Sequence, residues 1–232
     1  MTKRRATSIC YEERLILFLR LPAKGFVKTR LAETIGDEAT LDLYRCLVSD
    51  TLAAVRRAGR APLVFFHPPG LGPAIDWLGG GVTCLPQEGG DLGMRMLAAF
   101  RKVFSLPACS RAVLIGSDLP DLPPAFIGEA FERLKSQDAV IGPAHDGGYY
   151  LIGFRRGAVL PAAFEGIEWG GRGVFEATMA VFRKEGVSVH VLPHWDDIDV
   201  YEDVKALYDR LRDLPPGRLS TIDYIRDRRH LT

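Results

Sequence analysis

Leu15-Ile-Leu-Phe-Leu-Arg-Leu-Pro-Ala-Lys-Gly-Phe-Val-Lys-Thr-Arg-Leu31 joins an unbroken apolar run to a Gly- and Pro-bent loop carrying Arg20, Lys24, Lys28 and Arg30. The run Leu15 to Leu19 has no polar member, as a central strand covered on both faces requires. Between Arg14 and Ala32 there is no acid, so the local field is positive although the whole 232-residue chain has a formal net charge of +1. A loop of this kind at a strand end suits phosphate, lysine as a point charge and arginine as a two-pronged donor. A solvated basic loop fits the same residues. With no acid close in sequence, Lys28 and Arg30 are expected to stand unpaired and to serve a ligand, not stability.

Outward from this stretch, short apolar runs alternate with helical patterns. Strands are predicted at Leu15 to Leu19, Ala61 to Phe66, Val82 to Leu85, Ala112 to Gly116, Ala139 to Gly142 and Val187 to Leu192. From Thr40 to Ala58, Leu41, Tyr44, Val48, Leu52 and Val55 recur at steps of three and four, opposite Asp42, Arg45, Ser49 and Arg56, which marks an amphipathic helix. Leu92 to Phe104, Pro124 to Lys135, Gly173 to Lys184 and Tyr201 to Leu211 are further helices. Strands separated by crossover helices predict an α/β fold with a mostly parallel sheet. Gly148 to Phe154 follows its predecessor too closely for a crossover and is predicted antiparallel. Pro215-Pro216-Gly217 introduces a short tail, and residues 1–232 read as a single domain.

At 47% hydrophobic the chain can bury a substantial core, and its near-neutral charge gives no global field for nucleic acid or an anionic membrane. Small molecules are the expected partners. No apolar run approaches the ~20 residues of a membrane span. Met1 to Ala6 leads into Glu12, Glu13 and Arg14, not into a signal core, so a cytoplasmic location is expected. Cys10, Cys46, Cys84 and Cys109 show neither CxxC nor zinc spacing and read as reduced packing residues.

The chemistry-bearing segments fall at predicted strand ends, where ligands bind in open α/β sheets. Gly79-Gly80-Gly81 lacks the spacing of a dinucleotide fingerprint, and Gly25-Phe-Val-Lys-Thr lacks the second glycine of a P-loop. Phosphates must therefore be held by side chains, with Lys28 and Arg30 as the catalytic cations. Val113-Leu-Ile-Gly-Ser-Asp-Leu-Pro-Asp121 delivers Asp118 to a strand end, as a ligand for a hard divalent ion or as a turn former; Asp121 suits a turn. In Trp195-Asp-Asp-Ile-Asp-Val-Tyr201, Asp199 is a second metal carboxylate or a helix cap. Gly142-Pro-Ala-His-Asp-Gly-Gly-Tyr-Tyr150 offers Asp146 to substrate hydroxyls, with Gly147 and Gly148 allowing close backbone approach, or forms a tight turn. Gln87-Glu-Gly-Gly-Asp-Leu-Gly-Met-Arg-Met96 adds Gln87 and Asp91 as substrate-binding candidates, Asp91 alternatively as the N-cap of the next helix.

Taken in order, FLRLPAKGFVKTRL, QEGGDLGMRM, IGSDLPDLP, GPAHDGGYYLIGF and DIDVYED resemble a bacterial family of GT-A-fold, nucleotide-diphospho-sugar-transferase-like proteins, over nearly the whole chain. That family is similar to 2-phospho-lactate guanylyltransferase and, more distantly, to molybdenum-cofactor guanylyltransferase. The resemblance implies a Rossmann-like three-layer sandwich with a mostly parallel mixed sheet, binding a nucleotide with Mg²⁺ or Mn²⁺. It implies Arg20, Lys28 and Arg30 for phosphates, Asp118 and Asp199 for metal, and Gly147 and Gly148 for the second substrate. Trp169-Gly-Gly-Arg172 departs from the Trp-Ser/Thr of relatives, so acceptor recognition is not carried over. The expected function is a metal-dependent transferase using a nucleotide-activated donor, foremost a nucleotide-sugar glycosyltransferase. The alternatives are a nucleotidylyltransferase releasing pyrophosphate, and a non-catalytic nucleotide-binding protein.

Overall fold

The computed structural model describes residues 12–69, 77–78 and 82–228. Cys10, the Met1 to Ala6 segment and Gly79 to Gly81 lie outside them. Among the described residues, seven strands form one sheet in the order β3-β2-β1-β4-β6-β5-β7. In chain order they are β1 (Glu13–Arg20), β2 (Pro62–His67), β3 (Thr83–Pro86), β4 (Arg111–Ile115), β5 (Ala139–Pro143), β6 (Tyr149–Arg155) and β7 (Val189–Val191). β1 pairs in parallel with both β2 and β4, Leu17 facing Val64 on one side and Ile115 on the other. β6 runs antiparallel between β4 and β5, as its short connection requires. The strand order reverses between β1 and β4, so the crevice for a ligand opens at their carboxyl ends.

The sheet is covered on both faces, as the apolar strands foretold. Leu15, Leu17 and Leu19 point to the layer containing α2 (Asp37–Arg57) and α4 (Pro124–Arg133). Ile16 and Phe65 point to the other layer, built by α3 (Leu92–Phe104) and α5 (Val174–Lys184) around Phe100, Phe154 and Phe182. Successive strand residues face opposite layers and both layers are dry, which is why the runs are apolar at every position.

Two expectations need correction. The segment after Lys28 is not a loop: Thr29–Ile35 forms a short helix, α1, so Arg30 sits in a helical first turn. The segment after Gly217 is not a loose tail either. Ser220–Arg226 forms α7, which packs with α6 (Tyr201–Leu211) on the second face of α2 around buried Leu43, Leu47, Ile222 and Ile225. Burying each isoleucine contributes about 1.5–3 kcal/mol. Asp50, buried in α2, accepts from the backbone N–H of Ser220 at 2.9 Å and of Thr221 at 2.8 Å, satisfying the start of α7 from 170 residues away. Covering both sides of α2 also explains a buried stripe wider than its spacing predicts.

Candidate active-site cleft

Lys28 ends the loop after β1 in a left-handed conformation (φ 46°, ψ 50°). A side chain in that region is strained by about 1–2 kcal/mol, and here the strain turns the ammonium inward. Its Nζ lies 2.5 Å from Asp118 Oδ2, 3.4 Å from Asp197 Oδ2 and 3.5 Å from Asp199 Oδ1, with the side chain only 9% exposed. Arg30 donates to Asp199 Oδ2 at 2.8 Å. Neither cation stands unpaired: the acids absent from the local sequence arrive from β4 and from the segment before α6. Burial works against the charge on Lys28, but Asp118, Asp197 and Asp199 outweigh it and hold the ammonium protonated well above the usual lysine range.

The acids reach this point because α2 and the 195–199 segment hold the strand ends. Thr51 Oγ1 accepts from the Leu119 N–H at 3.0 Å and donates toward the carbonyls of Leu47 and Ser117, at 2.8 and 3.2 Å. Two turns earlier on the same helical face, the Tyr44 hydroxyl donates to the Arg20 carbonyl at 2.9 Å and lies 3.1 Å from Ser117 Oγ; burial raises its pKa to about 12. Together they bind the loops after β1 and β4 to one helix. The Ile198 N–H donates to the Asp118 carbonyl at 3.2 Å, and the Trp195 N–H to the Pro143 carbonyl at 3.1 Å, which sets Asp197 and Asp199 beside Asp118. A Cβ on Gly116 would lie 2.8 Å from Asp118 Oδ1, so the strand ends in glycine to let that carboxylate fold back.

Asp197 is the most perturbed acid. Burial, then the neighbouring Asp118, raises its pKa to about 6, with Asp199 and Asp146 adding to the rise against the pull of Lys28. Three carboxylates, those of Asp118, Asp197 and Asp199, thus share one buried ammonium, Arg30 pairs with Asp199, and Asp146 adds negative charge nearby. Sequence reading chose Asp199 from this segment and passed over Asp197; no spacing rule separates them, because the choice depends on which side of the segment faces Lys28. Among the described residues, no group of three His, Cys, Asp or Glu side chains is arranged to hold a metal ion, since the carboxylates surround the ammonium and not a common vacant point.

The cleft has two lobes that meet at Asp118, Asp146 and Asp197. One, about 440 Å³, is polar and lined by Arg20, Lys28, Arg30, Gln87 and Arg95. The other, about 250 Å³, is walled by Phe18, Leu92, Met96, Tyr149, Trp169 and Val174. Gln87 is buried and donates to the Phe65 carbonyl at 2.8 Å, which fixes it as part of the polar wall. Asp91 caps α3, accepting from the Met94 N–H at 2.8 Å. Asp146 accepts from the Gly148 N–H at 2.8 Å in a tight turn and still borders both lobes. Gly148 lines the apolar lobe. Gly147 has another reason to be glycine: at φ 91°, a Cβ there would overlap the Arg172 backbone. Asp121 is structural, held by Arg210 at 2.6 Å. Trp169, Gly170 and Gly171, the segment for which no role carried over, wall the apolar lobe.

A family profile described as "uncharacterized protein conserved in bacteria (DUF2064)" matches residues 51–171. The chain belongs to this family. Its fold is that of a Desulfovibrio desulfuricans G20 protein provisionally named a nucleotide-diphospho-sugar transferase, with a TM-score of 0.89 and 37% identity over 95% of this chain and 96% of the other. The DUF2064 chain also shares its fold with a nucleotidyl transferase from Methanothermobacter thermautotroptrophicus, at a TM-score of 0.60 and 15% identity over 87% and 99% of the two chains. A manganese complex of a protein from Mycobacterium tuberculosis H37Rv aligns at a TM-score of 0.53 and 16% identity over 86% and 99%. These likenesses establish the α/β fold of nucleotide-using transferases. No curated protein matches the sequence at a significant level. Among the described residues, no helix is long and apolar enough to cross a membrane.

Proposed function

We propose that this chain is a metal-dependent transferase that takes a nucleotide-activated donor, foremost a nucleotide sugar, in the polar lobe and a small-molecule acceptor in the apolar one. The observation that carries the reading is the placement of Asp118, Asp146 and Asp197 at the junction of the two lobes. Donor and acceptor held on either side would meet there, at a cluster rich in charge. The 37% identical relative provisionally named a nucleotide-diphospho-sugar transferase supports the choice of donor.

Mg²⁺ or Mn²⁺ fits the donor set: Asp118 and Asp199 offer hard carboxylate oxygens, and such ions take one or two protein carboxylates, with water and substrate phosphate completing the shell. The acid surplus that raises Asp197 is what a divalent cation would neutralise. When bound, the ion supplies Lewis-acid stabilisation of the departing phosphate. Lys28 holds the carboxylates together and adds positive charge at the junction, Arg30 orients Asp199, and Asp146 is placed to accept a hydrogen bond from an acceptor hydroxyl. Phe18, Trp169 and Tyr149 suit an acceptor with an apolar or ring-like body.

Nucleotidylyl transfer is the second reading, favoured by the several cations of the polar lobe, which suit a triphosphate. Product analysis separates the two. Incubation with nucleotide sugars and Mn²⁺ is expected to release nucleoside diphosphate; metal-dependent pyrophosphate release from a triphosphate plus acceptor, with every nucleotide sugar left intact, assigns the second reaction. Release of neither product across both panels returns the chain to a nucleotide-binding role without turnover.

A further inference from the structure

In the polar lobe, two of the three cations read from the sequence as phosphate ligands are already neutralised: Lys28 by three aspartates and Arg30 by Asp199. Two others are not. Arg20 ends β1 and Arg95 lies in the first turns of α3, and among the described residues neither has a carboxylate within ion-pair distance. The nearest acid to Arg95 along the chain, Asp91, spends its side chain on the Met94 N–H, while Arg95 Nε donates to the Asp91 carbonyl at 3.2 Å. Both guanidinium groups line the polar lobe, and both also line a side pocket of about 240 Å³ with His67, Leu21, Phe26 and Pro68. His67 stands opposite Arg20 in the β1–β2 register, and its Nδ1 is buried without a partner. Burial, Arg95 and Arg20 all disfavour a further positive charge on His67, and burial and Arg20 lower the pKa of Arg95.

Two guanidinium groups without a carboxylate in ion-pair distance, repelling one another along one pocket wall, favour an anionic ligand whose oxygens can accept from both. We propose that Arg20 and Arg95, with His67 in the wall beside them, form an oxyanion site that grips a phosphate of the donor, so that donor phosphate is anchored by this arginine pair while Lys28 organises the aspartates. Arginine suits the task because its planar fork can give two parallel hydrogen bonds to phosphate oxygens. The inference rests on the transferase reading for the identity of the phosphate, as part of a nucleotide, but not for the existence of the site.

Titration calorimetry without divalent metal, using inorganic pyrophosphate and separately a panel of the four nucleoside triphosphates, tests it on the wild type, Arg20→Met, Arg95→Met and Arg95→Lys. The expected result is binding of pyrophosphate and at least one triphosphate by the wild type, weakened about tenfold or more in each methionine variant, about 1.4 kcal/mol, with partial recovery in Arg95→Lys. Unchanged melting temperatures in the methionine variants, with the partial recovery in Arg95→Lys, tie the loss to charge and not to folding. Pyrophosphate binding that depends on Arg95 while no nucleotide binds keeps the anion site and removes the donor reading. Nucleotide binding equal in all four proteins removes the anion site and leaves the donor reading standing. Failure of the wild type to bind either probe overturns the site.

Discussion

Lys28 shows how a residue read as a ligand contact becomes a structural one through its partners. Its ammonium is buried among carboxylates, so removing it leaves Asp118 and Asp197 without their cation, while Arg30 still pairs with Asp199. Lys28→Met is expected to cost about 3 kcal/mol at pH 7, the low end for a broken buried pair because Asp197 and Asp199 are partly exposed, measured by urea unfolding, where an unpaired surface lysine would cost almost nothing. Asp197 behaves in the opposite sense. Its folded pKa is raised from 3.8 to about 6, so the stability linked to its proton is present below about pH 4 and is lost as the pH rises through 6. Asp197→Asn is therefore expected to stabilise the protein at pH 7.5 and to have little effect at pH 4. The side chain is 40% exposed, and solvent screening reduces the gain to about 1 kcal/mol. Thermal melts of both proteins across that range check it; a variant less stable than the wild type at pH 7.5 would show that the pull of Lys28 outweighs the crowding of acids.

At the scale of one element, α2 is both a core helix and the clamp of the site. Tyr44 and Thr51 are seven residues apart, two turns along one face, and reach the backbone of the loops that present Arg20, Ser117 and Asp118. The apolar stripe of α2 was legible in the sequence; the use of its two polar members was not, because an interior threonine or tyrosine reads the same whether it bonds its own helix or a neighbouring loop. Thr51→Val keeps the shape but leaves the buried Leu119 N–H without its acceptor. It is expected to lower stability by about 1–3 kcal/mol and to weaken metal-dependent nucleotide binding as Asp118 loosens, with calorimetry at fixed Mn²⁺ as the check. Loss of stability with unchanged binding would confine Thr51 to folding. The other face of α2 carries Asp50, whose role as the cap of α7 depends on a helix that a Pro-Pro-Gly break made look like a tail.

For the whole molecule, the cleft joins groups from the ends of β1 and β4, from the β5–β6 turn and from the approach to α6. Because the donor would bind the folded state alone, and through the metal, a nucleotide with Mn²⁺ is expected to raise the melting temperature, by mass action about 2.7 kcal/mol at one hundred times its Kd. EDTA is expected to reduce the shift to the part that the arginines hold without metal, and Asp118→Asn to remove its metal dependence without unfolding the chain. A shift unaltered by EDTA would end the metal assignment.

The sequence by itself determined the layered α/β fold, since apolar runs of strand length between amphipathic helices have no other way to bury both faces. It also placed Lys28, Arg30, Asp118, Asp146 and Asp199 at strand ends or beside helix starts, because turn residues and breaks in apolar periodicity are local signals. Only the tertiary structure decided the pairings. Lys28 meets Asp197 and Asp199 from 169 and 171 residues away, and Coulombic energy depends on separation in space, not along the chain. The same long-range folding neutralised Lys28 and Arg30, which looked free, left Arg20 and Arg95 with no carboxylate in ion-pair distance among the described residues, and set Asp197 where burial and its neighbours raise its pKa to about 6.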